Sequence, residues 1–479
     1  MLVVRSRLLV ALVSTINASA HRESALAADV LLRWPADEPL AALVSGGANN
    51  AQNTWSIFAR PRKTVTIAGD IAPHEALQQL NDALATTPRV LDSNSCDPHG
   101  MHDGAPPFAG GWVVALGYEL GACFEPRAQH IARVSNHPRA VLHWCPDAWC
   151  LNHATGALHA VGAPPALASD EQRDAWQLDA VHACTSDAQY GELVARTVEH
   201  IHAGDAFQAS IARRFEASLT GSARAFAHAA ITENRAWFGA LIELPCGGAV
   251  ISMSPELFLR VRRDGSVVTR PIKGTRPHTV CSGELIDSEK DAAELAMIVD
   301  LMRNDLGRVA EIGSVAVTQS RVLETHRTVH HGVAEIYAQL RDDVSWMDLL
   351  RATFPPGSVT GAPKVRAMQI IDELENAPRG FYCGAIGFIS HNGEAALNVA
   401  IRTAQVSALR DDGSRVLHYH AGCGIVAQSE VASEIAESHA KTRALVQLSR
   451  DDLALTPRED LALTPRGDLA LTPRGDASR

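Results

Sequence analysis

The chemistry-bearing residues of this chain begin with a lysine. Lys273 lies in TRPIKGTRP (residues 269–277), where strand-forming Val267, Val268 and Thr269 run into Pro271 and Gly274. The pattern predicts a lysine on a short rigid turn at a strand end. Lysines mostly lie on solvated faces. Desolvated, or beside a cation such as Arg270 or Arg276, this one would be partly neutral and nucleophilic near pH 7. Glu434 and Glu437 stand three apart and share a helix face, with Lys441 one turn beyond Glu437. Glu294 lies on an earlier helix, near Asp291. Carboxylates from two helices meeting at one cleft would suit Mg²⁺, which takes oxygen ligands. The same spacing also fits a solvated face laced with i,i+4 pairs.

Two glycine-rich stretches add candidates. GSVTGAPK (residues 357–364) is a turn leading into a helix, where backbone N–H groups can bind a carboxylate or phosphate. It is not a Walker A loop: Lys364 does not directly follow Gly361, and Val365 stands where that loop needs Ser or Thr. HAGCGIV (residues 420–426) is a strand end where backbone can approach a ligand closely. Arg402, closing NVAIRT, fits either a fork onto a carboxylate or a surface ion pair. His331, in His330-His331, fits either a structural histidine or a general base.

The elements that must position these residues can be read from turn chemistry and periodicity. Asp264-Gly265, Asn392-Gly393 and Asp412-Gly413 each separate two strand-like runs, which predicts three hairpins: 257–261 with 266–270, 385–389 with 395–402, and 405–409 with 416–420. Helical periodicity marks 187–202, with Tyr190, Leu193, Val194, Val198 and Ile201 on one face. It also marks 284–309, 363–374 (with proline at or near the first turn) and 431–448. Antiparallel strands with helices gathered on one side predict an α+β fold of large antiparallel sheets. Residues 28–165 read as an N-terminal α+β subdomain and 180–450 as the catalytic domain, joined by an Ala-, Pro-, Asp- and Gln-rich linker.

Residues 1–27 read as an N-terminal extension, although Arg5 and Arg7, the apolar run 8–13 and Ala18-Ser19-Ala20 also fit a secretory signal. Residues 451–479 repeat DLALTPR three times at an eight-residue period, which fits no solenoid and reads as a disordered tail.

Composition bounds the function. The chain has 479 residues, 46% hydrophobic and 20% charged, as expected of a soluble globular protein. A net charge of -11 argues against nucleic acid as a partner. No later segment has the roughly 18 consecutive apolar residues of a membrane span. Nine cysteines without C-x-x-C spacing suggest neither a disulfide framework nor a zinc site, and a cytoplasmic, reducing location.

As an ordered set, GDAFQASIARRF, SPELFL, RPIKGTRP, AELAMIVDLMRNDLGRV, VHHGV, FPPGSVTGAPKVRAMQIIDELE, YCGAIGF, NVAIRT, HAGCGIVAQSE and EIAESHAK resemble the chorismate-utilising enzymes. The likeness spans about 187–445, with weaker similarity back to about residue 54. The resemblance implies Mg²⁺ held by Glu294 and Glu437, with Glu434 beside them. It implies Glu256 as a general acid, with Arg402, Gly422 and Gly424 holding carboxylates. Thr275, Thr360 and Lys364 would line the same pocket, and His331 matches an active-site histidine of the family.

Gln208 stands where relatives that add water carry a lysine, which implies the ammonia-using branch. Lys273 in the PI-x-GT turn matches the branch that makes 4-amino-4-deoxychorismate; the anthranilate-forming branch typically has alanine there. By resemblance, Lys273 attacks C2 of chorismate and ammonia displaces it at C4. No glutaminase nucleophile turn, G-x-C-x-G-x-Q, is present, so ammonia is expected from a separate glutamine amidotransferase subunit. The rival readings are the anthranilate-forming branch and a non-catalytic homologue. Cys423, Gly332 and Ala334 depart from the family pattern, and altered packing is expected there.

Overall fold

The strand Gly111–Leu116, GWVVAL, has no polar side chain to turn toward water, and it is buried on both faces. Trp112, Val114 and Leu116 feed one apolar core, while Val113 and Ala115 feed another. Strands of this kind must be covered twice, and the molecule is layered accordingly. The computed structural model describes residues 29–46, 54–87, 105–125, 127–128, 137–171, 174–277, 285, 288–325 and 329–449. The N-terminal extension, the repeat tail and the expected helix start at 284 lie outside the described residues.

Two antiparallel sheets, of twelve and ten strands, pack face to face. The core between them takes Ile57, Ala240 and Val250 from the first sheet, and Val113, Val141 and Phe388 from the second. Helices cover both outer faces. Glu289–Gly307, Trp346–Thr353 and Lys364–Leu374 pack on one side, with Ala223–Asn234 on the other. The expected gathering of helices on one side is therefore corrected: both sheets carry apolar residues on their outer faces, so both need a helical layer.

The three expected hairpins form, as Leu257–Val261 with Ser266–Arg270, Ala385–Ser390 with Ala395–Val399, and Thr403–Val406 with Ser414–Ile425. The helices at Asp187–His202 and Val431–Val446 match expectation closely. Pro363 is the N-cap of Lys364–Leu374, next to the first turn as expected.

The expected boundary near 166–179 does not divide the sheets. Ala41–Val44 pairs with Phe238–Glu243, and Gly111–Leu116 pairs with Ala385–Ser390, so backbone hydrogen bonds cross it twice. Among the described residues no helix is long and apolar enough to cross a membrane.

Candidate active site

At one end of this sandwich lie Ile272–Pro277, the terminal strand of the second sheet, and Gln208–Gly221, next to the short terminal strand Gly361–Ala362 of the first. Lys273 sits within Ile272–Pro277 and pairs with Gly332 of Val329–Gln339. The expected turn is thus a strand. Pro271 breaks the ladder before it, and a bulge interrupts the register between Lys273 and Thr275. Gly274 takes φ +79° at that bulge, and a β-carbon there would meet Leu285 and Asp291, so glycine lets the helix Glu289–Gly307 close against the strand. Gly332 allows a second close approach, since a β-carbon on it would lie 2.7 Å from the Lys273 carbonyl oxygen.

The lysine reaches across to the first sheet. A β-carbon on Gly424 would lie 3.0 Å from Lys273 Nζ and 2.3 Å from Gln208 Nε2, so the glycine leaves room for both side chains. Gln208 is fully buried, and neither its Oε1 nor its Nε2 has a hydrogen-bond partner. A buried amide left this way is costly unless something else meets it. Gly422 permits close strand packing, because a β-carbon there would fall 2.1 Å from the Ile211 carbonyl oxygen.

Glu256 and Arg402 each stand where the chain crosses from one sheet to the other. Ala249–Ser254 belongs to the first sheet and Leu257–Val261 to the second; Ala395–Val399 belongs to the second and Thr403–Val406 to the first. Ser254 Oγ ties the crossings together by accepting the Glu256 N–H at 3.2 Å and donating to the Val399 carbonyl at 2.6 Å. The Glu256 side chain is buried, and burial pushes its pKa up to about 7 against the opposing pull of Ser358, Lys273 and the Ile272 amide. Ser358 faces the carboxyl without a hydrogen bond between them: Ser358 Oγ and Glu256 Oε1 are both buried and unpartnered. Arg402 takes φ +49°, a left-handed conformation that costs a non-glycine residue of order 1 kcal/mol or more and that clusters at functional sites. Burial lowers the pKa of its guanidinium.

The acidic residues come from two helices. Glu294 is on Glu289–Gly307; its pKa is raised by burial and by the neighbouring Asp291 and Glu434, and drawn down by Lys273 and Lys290. Glu434 is buried and accepts a hydrogen bond from Ser429 Oγ at 2.7 Å. Glu437 pairs with Lys441 at 2.8 Å, which together with Lys273 and Lys290 outweighs burial and lowers its pKa. Lys290 Nζ lies 4.0 Å from Glu294 and 3.6 Å from Glu434, so a cation already stands where carboxylates from the two helices converge. Carboxylate oxygens in this arrangement suit a hard divalent cation. Ligand atoms of Cys423, Glu434 and Glu437 also lie within 4.8 Å of one another. Burial pushes the Cys423 thiol up to about 12, so it stays protonated and is a poor ligand beside the carboxylates.

The remaining candidates separate. His331 is buried on Val329–Gln339, opposite Thr275 in the ladder. Thr360 is buried beside the Gln208 strand; its hydroxyl donates to the Pro356 carbonyl at 2.5 Å, and its own carbonyl accepts the Ser210 N–H. The Lys364 ammonium is held by Asp305 at 2.6 Å and the Thr353 carbonyl at 2.8 Å. Asp305 lies eleven residues beyond Glu294 on the same helix, about 16 Å along its axis. Lys364 therefore closes an ion pair with the far end of the helix that carries Glu294.

Two residues at the site, Ser358 and Lys290, are not singled out by the sequence, and Lys441 is marked there only by its place one turn beyond Glu437. Lys441 donates to the Gly422 carbonyl at 2.7 Å as well as to Glu437; burial opposes its charge, but Cys423, Glu437 and Glu434 outweigh burial and raise its pKa. The spacing Glu437–Lys441 was visible, but it read equally well as an exposed i,i+4 pair.

Lys273, the buried Glu256 carboxyl and carboxylates converging from two helices thus gather where the two stacked antiparallel sheets meet. A profile of the chorismate binding enzyme family matches residues 44–447, and the chain belongs to that family. It is 36% identical to aminodeoxychorismate synthase component 1 of Klebsiella aerogenes over 437 residues, covering 85% of this chain and 93% of that one. It is 37% identical to the protein of the same name from Escherichia coli K12 over 435 residues, with the same coverage. Among solved structures, anthranilate synthase component I from Streptococcus pneumoniae TIGR4 superposes with a TM-score of 0.67 at 27% identity, covering 83% of this chain and 93% of that chain.

Proposed function

We propose that the protein carries out the reaction of aminodeoxychorismate synthase component 1, converting chorismate and ammonia to 4-amino-4-deoxychorismate and water, as a step toward p-aminobenzoate and folate. The observation that carries this reading is the meeting of Lys273, Gln208 and Gly424 in one space, with Glu256 poised to hold a proton near pH 7. The relatives named for this reaction, covered over 93% of their length, support it.

Exchange of a ring hydroxyl for an amine is divided into two easier steps by a covalent intermediate. The Lys273 amine bonds to C2 while the two ring double bonds shift round toward C4. The C4–O bond breaks, and Glu256 gives its proton to the departing hydroxyl, which leaves as water. Ammonia then bonds to C4, the double bonds shift back, the C2–N bond breaks, and the lysine is released. The incoming nitrogen loses a proton, which returns Glu256 to its acid form. Gln208, neutral at every working pH, borders the lysine with both ends of its amide unpaired, and cannot activate water as a basic residue would. Arg402 and the Gly422–Gly424 backbone are the candidates for the substrate carboxylates.

Magnesium held by Glu294, Glu434 and Glu437 would neutralise the ring carboxylate and draw electron density from the ring. We assign the supply of ammonia to a separate glutamine amidotransferase subunit, consistent with the "component 1" in the names of the relatives. We assign the protein to the cytoplasm, where thiols such as exposed Cys184 and Cys246 stay reduced.

Product identification tests the proposal. With chorismate, ammonium and Mg²⁺, the product should yield p-aminobenzoate once a lyase removes pyruvate. Fluorescent anthranilate as the main product would sink the assignment in favour of the anthranilate branch, and no product at all would point to a non-catalytic homologue. Lys273→Ala should lower turnover by about a thousandfold or more; full turnover in that variant would rule out the covalent route.

A further inference from the structure

Three carboxylates at the site face three ammonium groups, and the three lysines are held very differently. Lys441 is fastened by hydrogen bonds to Glu437 and to the Gly422 carbonyl. Lys273 extends from a strand between the two sheets. Lys290 stands in the first turn of the helix Glu289–Gly307, with its side chain 48% exposed. Its ammonium lies between Glu294 and Glu434 at 4.0 and 3.6 Å, too far for a good hydrogen bond to either.

The Glu434 side chain is only 4% exposed and that of Glu294 13%. An ordinary surface pair has both partners in water and contributes little. Here two largely buried carboxylates from different helices repel one another, and the ammonium of Lys290 offsets that repulsion. Its stem is half-exposed, so the ammonium borders solvent on one side and the two carboxylates on the other.

We propose that Lys290 is a resident counter-ion of the carboxylate site, occupying the position of the divalent cation in the metal-free protein, and that metal binds by displacing it. The inference rests on the metal reading of Glu294, Glu434 and Glu437 given above. Lys290 then sets metal affinity by competition. The protein binds metal only in the fraction of molecules whose ammonium has left, and apparent affinity falls by that fraction. If the ammonium is in place for most of the time, its removal tightens metal binding about 3- to 10-fold. The device keeps the two acidic helices together before the metal arrives, at the expense of affinity once it does.

The test is Mn²⁺ binding to the purified full-length protein, read by the loss of the free-ion electron paramagnetic resonance signal, which needs no turnover. Wild type, Lys290→Gln and Lys290→Arg are compared at constant ionic strength, with thermal unfolding confirming that each is folded. Lys290→Gln should bind Mn²⁺ 3- to 10-fold more tightly than wild type, and Lys290→Arg, which keeps the competing charge, should stay near wild type. Affinity in Lys290→Gln that is unchanged, or weaker, overturns the role of Lys290 alone. No Mn²⁺ bound by either wild type or Lys290→Gln overturns the metal reading together with it. Binding by Lys290→Gln that wild type lacks supports the proposal in its strongest form.

Discussion

In the proposed mechanism the protonation of Glu256 sets the rate near neutral pH. Its carboxyl is raised from the ordinary 4.5 to about 7 by burial, so the proton it would donate is present below pH 7 and lost above it. The rate should follow that proton. In the free enzyme kcat/KM should decline above pH 7, approaching tenfold per unit, with an apparent pKa within about one unit of 7. Glu256→Gln should be slower by about 10²- to 10⁴-fold and should lack this limb. A pH–rate profile that is flat from 6 to 9 in the wild type would remove Glu256 from the acid role. SPELFL can be picked out of the sequence, but its acidity cannot. The rise comes from the depth of the crossing between sheets, and Lys273 on a strand and Ser358 on a 3₁₀ turn pull against it from distant parts of the chain. Lys364 teaches the converse. Its glycine-rich motif marks it as a candidate pocket lysine, and only the packing of Asp305 against it reveals the ion pair it makes.

At the scale of elements, the site depends on helices being held to strands by a few buried polar groups. Arg213, fully buried on the strand Gln208–Gly221, is the main one for the helix that carries Glu434 and Glu437. It donates to Ser438 Oγ at 2.8 Å on that helix, bonds Asp187 at 2.5 Å on the helix Asp187–His202, and lies over the rings of Tyr190 and Phe215 at 4.9 and 5.2 Å. Replacing it with methionine keeps volume but loses charge-assisted hydrogen bonds and cation–π contacts. We expect a loss of about 2–4 kcal/mol, seen as a lower denaturant midpoint, together with weaker Mn²⁺ binding. A variant as stable as wild type would show that the helix is held by apolar packing alone. The helices themselves were legible, because period and caps are local: Ser186 caps Asp187–His202 through a capping box with Gln189. The fastening was not. Arg213 and Ser438 are 225 residues apart, and no local pattern joins them.

At the scale of the whole molecule, the sheets bind the N-terminal third of the chain to the rest. A fragment of residues 180–450 would lose the neighbours of Phe238–Glu243 and Ala385–Ser390, leaving two bare strand edges. It would also uncover the core between the sheets, where Ile57, Val113 and Val141 meet Ala240, Ile242 and Phe388. That fragment should be insoluble, or soluble only as a species that binds hydrophobic dye. A monomeric fragment that unfolds cooperatively would show the N-terminal strands to be dispensable.

The amino-acid sequence by itself determined the local geometry. Gly265, Gly393 and Gly413 take φ of +79°, +85° and +78° at their hairpin turns because only a residue without a β-carbon does so freely, and hairpin pairing follows from such turns. The tertiary structure alone decided which sheet each strand joins, which lysine meets which carboxylate, and whether Glu256 keeps its proton. Those outcomes depend on burial and on charges brought together from distant parts of the chain, and a property that a residue acquires from its surroundings cannot be read from its neighbours in sequence.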